Sequence, residues 1–423
     1  MLRRCSPPVP DTPDELTEPM PPRAAVTFRY ECWRAVCTGA LEGAGAYSLV
    51  VAIRHFNSAP LLKALLNSGF DGGKIAAPLF IAWIAGINRT ATSLGSTVLF
   101  WGAMAGFLMA AAPSEWVLLA GCFGQTLASA FMIPLEAQVN QENYPARIRG
   151  RLFTRAMTIR AISAMAFSYC LGFALDLNLH SFHFLFLLFP AAMLAAAYCF
   201  RQVPSERVKL PKQSEPWRAV RYLRDDPLFG LVMLSWMAMG MPNLVLFSLR
   251  YEYLASPRQG LVLAAVQIVT ITAVTPALAK IVSATIWGWL YDRFSLFALR
   301  AVANLGIAVG FLILYNSREM PMLIFGAFFT TLFTAGADVA WSLWPTKLAP
   351  PGRIIDYMAF HSMLSGFRGI TAPLIAFQLA AFLPAIQIAR VAAILLVASN
   401  VFIALEWAEF QRRKLPIGAV AEA

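Results

Sequence analysis

Residues 288–315 open with Gly288-Trp289-Leu290-Tyr291-Asp292-Arg293, and an apolar run from Phe297 to Tyr315 follows almost at once. Another apolar run, 262–290, leads into the quoted segment. The first is close to the length that a helix rising 1.5 Å per residue needs to cross a hydrocarbon core of about 30 Å, and the second exceeds it. Leu, Ala, Met and Phe dominate without the period-two alternation of barrel strands, so the runs read as helices. Gly288–Arg293 is then the polar turn between two membrane helices, and the chain is to be read span by span.

Outward from there the same pattern recurs. Spans are expected near 33–54, 72–88, 94–112, 115–138, 155–175 and 182–200, then near 228–249, 262–290, 297–315, 320–344, 357–381 and 385–408. The composition agrees: of 423 residues, 58% are hydrophobic and 13% charged, against about 25% charged in soluble domains. The mean hydropathy is +0.61. A soluble enzyme is excluded on these grounds. The expected fold is an all-α membrane protein of twelve transmembrane helices in two pseudo-symmetric six-helix bundles, 29–200 and 228–408. Residues 1–28, rich in Pro, Asp and Glu and without a signal-peptide core, read as a disordered cytoplasmic tail. A basic linker, 201–227, joins the bundles, and 409–423 forms the C-terminal tail. Within the linker, Pro216–Arg224 mixes aromatic and basic residues at helical spacing and is expected at the membrane surface.

The net charge of +11 does not indicate nucleic acid, because the basic residues are scattered between apolar runs instead of gathered on one soluble face. They set orientation. With the N-terminus inside, the cytoplasmic segments hold 25 Lys and Arg, counting Arg34, Arg160 and Arg300 among them, and the outer segments hold six. Both termini are therefore expected in the cytoplasm, in a plasma (bacterial inner) membrane. The six cysteines lack CxxC spacing and read as small buried hydrophobes.

Six, basic linker, six is an arrangement of secondary transporters built from related halves. Gly288–Arg293 resembles the G-x-L-x-D-R signature of the major facilitator superfamily, which stands between the second and third helices of a half. Ser295, Leu296 and Phe297 replace the basic residues that usually follow. In the first half, Gly86-Ile87-Asn88-Arg89 keeps only an Asn-Arg echo. Arg147-Ile148-Arg149-Gly150-Arg151 resembles the family's Arg-Gly-Arg segment after span four, and Gly352-Arg353 echoes it after span ten. The resemblance covers residues 30–408. It implies alternating access, with Gly288, Asp292, Arg293, Arg149, Gly150 and Arg151 as gating residues. Span five lacks the Gly-Pro pair of many drug–proton antiporters, and Arg201–Arg207 is not the Pro-Glu-Ser-Pro-Arg of sugar porters.

Charges inside the spans are the candidate site. At the bilayer centre each costs about 2.5–3.5 kcal/mol even on a lenient scale, so each needs a partner or water. Glu42, Glu136 and Asp338 stand against Arg160, Lys280 and Arg368, with Lys280 and Arg368 about 15 Å deep. The functional reading is solute binding and proton coupling by Glu42, Arg160, Lys280, Asp338 and Arg368. The structural reading is pairing within each half, for example Glu136 with Arg160 and Asp338 with Arg368. Two deep cations favour a solute carboxylate or phosphate, with Arg368 as a bidentate clamp. His180 and His183 have metal-like spacing but no third ligand. His361 reads as a gate residue, and Trp341 and Trp344 as a cavity wall beside Asp338.

The expected function is secondary transport (symport) of a small, anionic solute, proton-coupled, by a monomer in contact with membrane lipid and without cofactor, metal or nucleic acid. No nucleotide-binding loop is present, and sodium remains an alternative coupling ion. The competing functions are an efflux antiporter for drugs or metabolites, a non-transporting receptor, and a lipid scramblase. A membrane enzyme would need a nucleophile–base set, and none is evident. The topology is open to direct measurement. Reporters active only in the cytoplasm should be active when fused near residues 215 and 423 and silent near 180; a silent reporter near 215 would refute the two-bundle layout.

Overall fold

The computed structural model of the protein describes residues 20–208 apart from 67 and 86, 223–348 apart from 260, and 354–414. The described residues are nearly all helical, with one isolated bridge between Thr90 and Arg207. The helices form twelve rods. The first half comprises span one (Pro22–Arg54), span two in two pieces (Pro60–Leu66 and Ser68–Ala85), span three (Ala91–Ala110), span four (Glu115–Asn143), span five (Ala146–Leu177) and span six (Phe182–Phe186 with Leu188–Arg201). The second half comprises span seven (Pro227–Ala255), span eight (Ala265–Val269, a π-helical turn Thr270–Val274, and Thr275–Arg293) and span nine (Leu296–Tyr315). Span ten (Met320–Leu348), span eleven (Ile354–Ala380) and span twelve (Ala385–Ala398 with Asn400–Lys414) complete it.

Span one starts at Pro22, so the last part of the expected tail is helical; Met1–Pro19 lie outside the described residues. Proline suits a first helical position because its missing N–H would be unpaired there anyway. The polar residues beyond it have partners: Arg34 reaches Glu31 at 3.7 Å and also pairs with Glu136 of span four, while Tyr144 donates to Glu31. Span two likewise begins earlier than expected, at Pro60. Most of the linker, including Pro216–Tyr222, falls outside the described residues. The helix of span seven is well started, with Pro227 at its head and Asp226 accepting from the Phe229 N–H at 3.3 Å.

Helix packing inside each half relies on small residues, as it must where lipid offers no hydrophobic drive. Span one lies against span five through Gly39 and Gly43, where a methyl group would overlap the Arg160 and Ala164 carbonyls. Hydrogen bonds fasten the contact: the Ser163 hydroxyl donates to the Val36 carbonyl at 2.9 Å and the Ser168 hydroxyl to the Gly43 carbonyl at 3.0 Å. Among the described residues, ten helices are long and apolar enough to cross a membrane. Spans two and eleven, which carry Asp71, Lys74 and Arg368, are not among those ten. These two spans pack against each other across the halves.

One feature corrects the charge count. Arg300 was placed in a cytoplasmic segment, yet it lies inside span nine, paired with Glu406 of span twelve at 2.6 Å, and both side chains are 0% exposed. It also donates to the Ser235 hydroxyl at 2.6 Å and stacks over Trp236 at 4.3 Å. The bias of 25 to six survives its removal. Losing one partner of a buried ion pair costs about 3–5 kcal/mol, because the survivor keeps an uncompensated charge. Glu406→Ala should therefore lower the thermal unfolding midpoint in detergent strongly, whereas Arg300→Met with Glu406→Leu should recover much of the loss. A double variant at least as unstable as the single one would contradict this.

Candidate functional site

The described ion pairs and hydrogen bonds between the halves gather at the helix ends opposite the chain termini. Lys63 of span two meets Glu252 of span seven at 2.7 Å, both mostly buried. Arg54 at the end of span one donates to the Leu263 carbonyl, and to that of Ala255 at 3.4 Å. Asp176 of span five accepts the N–H groups of Ala265 and Val266 at 2.5 and 2.9 Å. A carboxylate there satisfies two orphan donors of span eight and faces the positive end of its dipole. None of these three ties was evident in the sequence, since each charge looked like a loop residue flanking a span.

Deeper in the membrane the charges pair, though not as expected. Arg160 bonds Glu42, joining spans five and one, and Lys280 bonds Asp338 at 3.0 Å, joining spans eight and ten. The expected pairs Glu136 with Arg160 and Asp338 with Arg368 do not form, because nearer partners exist: Glu136 takes Arg34, and Asp338 takes Lys280. Lys280 and Asp338 are each 56% exposed, Glu42 is 49% exposed and Arg160 31%. Gly45, three residues from Glu42, faces open space. Exposed charge in hydrocarbon is expensive, so these surfaces belong to a watery space and not to lipid. Lys280 follows a π-helical turn just ahead of Pro276. Proline removes a helical N–H, and the wider turn absorbs the misfit. The turn precedes Lys280, and the stretch from Lys280 to Leu290 lies within the uninterrupted helix Thr275–Arg293.

Arg368 differs from the other cations. It and Arg160 occupy the same register, each the fifteenth residue of its helix counting from Ile354 and Ala146. Arg160 has a carboxylate from span one. Among the described residues Arg368 has the Trp236 carbonyl of span seven, at 2.6 Å, and no partner for its Nε. Its guanidinium lies over Gly240, where any side chain would overlap it. The next residue, Gly369, meets Asp71 of span two so closely that a methyl there would overlap the Asp71 carboxyl. Asp71 also holds Lys74 at 3.0 Å. Asp71 was missed because span two was expected to begin after it; its spacing of three from Lys74 was the available signal.

The gating residues divide. Gly288, Asp292 and Arg293 lie in the last turns of span eight, and Arg149, Gly150 and Arg151 near the start of span five. Arg293 stacks over Trp289 at 4.2 Å, and Arg151 is exposed. The side chains of Gly288, Asp292, Arg149 and Gly150 lie outside the described ones, as does Gly352-Arg353. The first-half echo has a local explanation. Asn88 adopts φ 56°, a left-handed conformation that Asn tolerates better than most residues, and accepts from Arg207 at 3.1 Å. That loop is fastened to the end of its own half.

His361 is buried and accepts from the Trp344 indole at 2.8 Å, while the Trp341 indole donates to Ser365 at 3.3 Å. His361 and Trp344 therefore pack the interior of the second half, with Trp341 half-buried beside them. At the outer surface His55 joins His180, ring to ring at 5.1 Å. Burial, and then His180 and His183, push the His55 imidazolium pKa down. No metal-holding cluster is present among the described residues.

Solved structures share this architecture. The nucleoside transporter NupG superposes with TM-score 0.71 at 11% identity, over 92% of this chain and 99% of that one. A bacterial homolog to the human lysosomal transporter Spinster, inward-facing and occupied, gives 0.66 at 12% over 92% and 97%. The inward-open xylose transporter XylE from E. coli gives 0.62 at 15% over 90% and 94%. No protein-family model and no curated protein matches the sequence. The fold is that of the major facilitator transporters.

The meeting of spans two and eleven can be tested alone. Gly369→Ala should destabilise by about 1–3 kcal/mol, the usual cost of overpacking. In an Asp71→Ala background the same substitution should cost much less. Equal losses in both backgrounds, read as thermal unfolding midpoints, would show that Asp71 is not what Gly369 accommodates.

Proposed function

We propose that this chain, folded as a major facilitator, is a secondary active transporter that moves a small solute by alternating access in the plasma membrane. The observation that carries this reading is the placement of exposed ion pairs on helices whose described inter-half ties lie at the outer side. On the inner side, Met157 of span five and Val282 and Ile286 of span eight are exposed. Together these features support a cleft open to the cytoplasm, closed outside by the Lys63, Arg54 and Asp176 ties. Rocking the halves would break those ties and form others between the cytoplasmic ends of spans five and eight, where Asp292, Arg293 and Arg149–Arg151 stand.

The finer reading is a solute with an anionic group, coupled to protons. Its support is narrower than the sequence suggested, since Lys280 and Arg160 each have a carboxylate. Arg368 has no ion-pair partner in its own half among the described residues, and its unpartnered Nε is the feature that favours a carboxylate or phosphate. Glu42 is the proposed proton carrier, because it is half-exposed and protonation would dissolve its bond to Arg160.

Proteoliposomes loaded with a pH gradient and offered a panel of carboxylates, phosphomonoesters and neutral sugars test this. The expected result is uptake of at least one anion, abolished by a protonophore. Arg368→Lys should raise the apparent KM at least tenfold, Arg368→Ala should abolish uptake, and Glu42→Gln should retain exchange while losing proton-driven accumulation. Normal accumulation by Glu42→Gln would remove it from coupling. Lipid movement without solute flux would replace a transporter with a scramblase.

A further inference from the structure

Away from the cleft, the outward surfaces of spans nine and twelve enclose a cavity of about 730 Å³. That size lies within the about 300–1,000 Å³ common for small-molecule sites. Its walls are apolar: Leu305, Val309 and Leu312 from span nine, Ile394 and Val397 from span twelve. Ala308 and Ala393 are buried between them and, being small, leave the hollow. Leu305, Val309, Ile394 and Val397 stay between 41% and 67% exposed, so the hollow opens sideways, toward the hydrocarbon that surrounds both spans.

At one end the lining changes character. Asn316, which closes span nine, and Arg390, in the second turn of span twelve, are joined there at 3.2 Å. Arg390 is exposed and makes no ion pair among the described residues. Arg318 is exposed two residues beyond Asn316, with Glu319 beside it as the one neighbouring carboxylate. The result is an open apolar trough whose mouth carries the Arg390 guanidinium, bonded to the Asn316 Oδ1, and the Asn316 amide nitrogen, which donates to the Leu312 carbonyl at 2.7 Å. An arginine beside a phosphate makes paired, charge-assisted hydrogen bonds that a zwitterionic headgroup's own cation would oppose.

We propose that this trough is a binding site for an anionic phospholipid from the leaflet that the loop between spans nine and ten faces, with an acyl chain along Leu305–Val397 and the phosphate on Arg390 and Asn316. The trough distinguishes lipids by headgroup, not by tail, because the tail leaves one apolar environment for another. Charge therefore sets the preference, and one arginine near a membrane surface is worth about a fivefold change in affinity.

Native mass spectrometry of the full chain, titrated in detergent with phosphatidylglycerol or phosphatidylcholine, tests the site. One phosphatidylglycerol should remain bound through activation that strips phosphatidylcholine. Arg390→Ala should weaken its retention about fivefold, and Arg390→Lys should keep most of it. Val397→Trp, on the lipid-facing wall, should fill the trough and displace the lipid without unfolding the chain. Equal retention of the two lipids, retention unchanged in both Arg390→Ala and Val397→Trp, or a dimer that forms at this face without lipid would each overturn the proposal. None of these readouts depends on transport.

Discussion

Charge in hydrocarbon must meet an opposite charge, a hydrogen-bonding carbonyl or water, and the architecture of this protein is largely the record of how each charge does so. Arg300 and Glu406 meet in a sealed interior. Arg160 with Glu42, and Lys280 with Asp338, meet on surfaces that keep half their area open. The difference has a functional meaning. A sealed pair is fixed by desolvation and contributes to one conformation, whereas an open pair can exchange its partner for a proton, a water molecule or a solute at small cost.

The joint between the halves obeys the same constraint. Spans two and eleven touch where Gly369 admits the Asp71 carboxyl. Spans five and eight touch where Asp176 takes two backbone N–H groups. Polar contacts of this kind suit an interface that must open, since water can replace them, while a dry interlocked face could not be parted as cheaply. Within each half the opposite choice is made, with Gly39 and Gly43 bringing span one onto span five and hydroxyls closing the remaining gaps.

The spans, their helical character and the two-half order were legible because apolar runs of this length have few other structural solutions. The Gly288–Arg293 segment closes span eight and span nine follows it, as read. The intramembrane charges were legible as a set: Glu42, Arg160, Lys280, Asp338 and Arg368 were all singled out by depth alone. Their pairing was not, because a one-dimensional depth cannot say which helices are neighbours or which faces they present. Lys280 pairs with Asp338 across spans eight and ten, a neighbourhood that no hydropathy profile registers. Charges at span edges misled most. Arg300 reads as a loop cation in the sequence, and Asp71 goes unnoticed there, because hydropathy drops at any charge, whether it lies in water or against a partner.

The central claim is that the halves are joined outside, open inside, and able to reverse. Spin labels at Met157→Cys and Val282→Cys in a cysteine-free background report the inner separation of spans five and eight by pulsed electron paramagnetic resonance. The account predicts two distance populations, a long one matching the described structure and a shorter one, whose ratio changes with pH in the wild-type background. A single distance, unmoved by pH or by removal of the outer tie through Asp176→Ala, would contradict it.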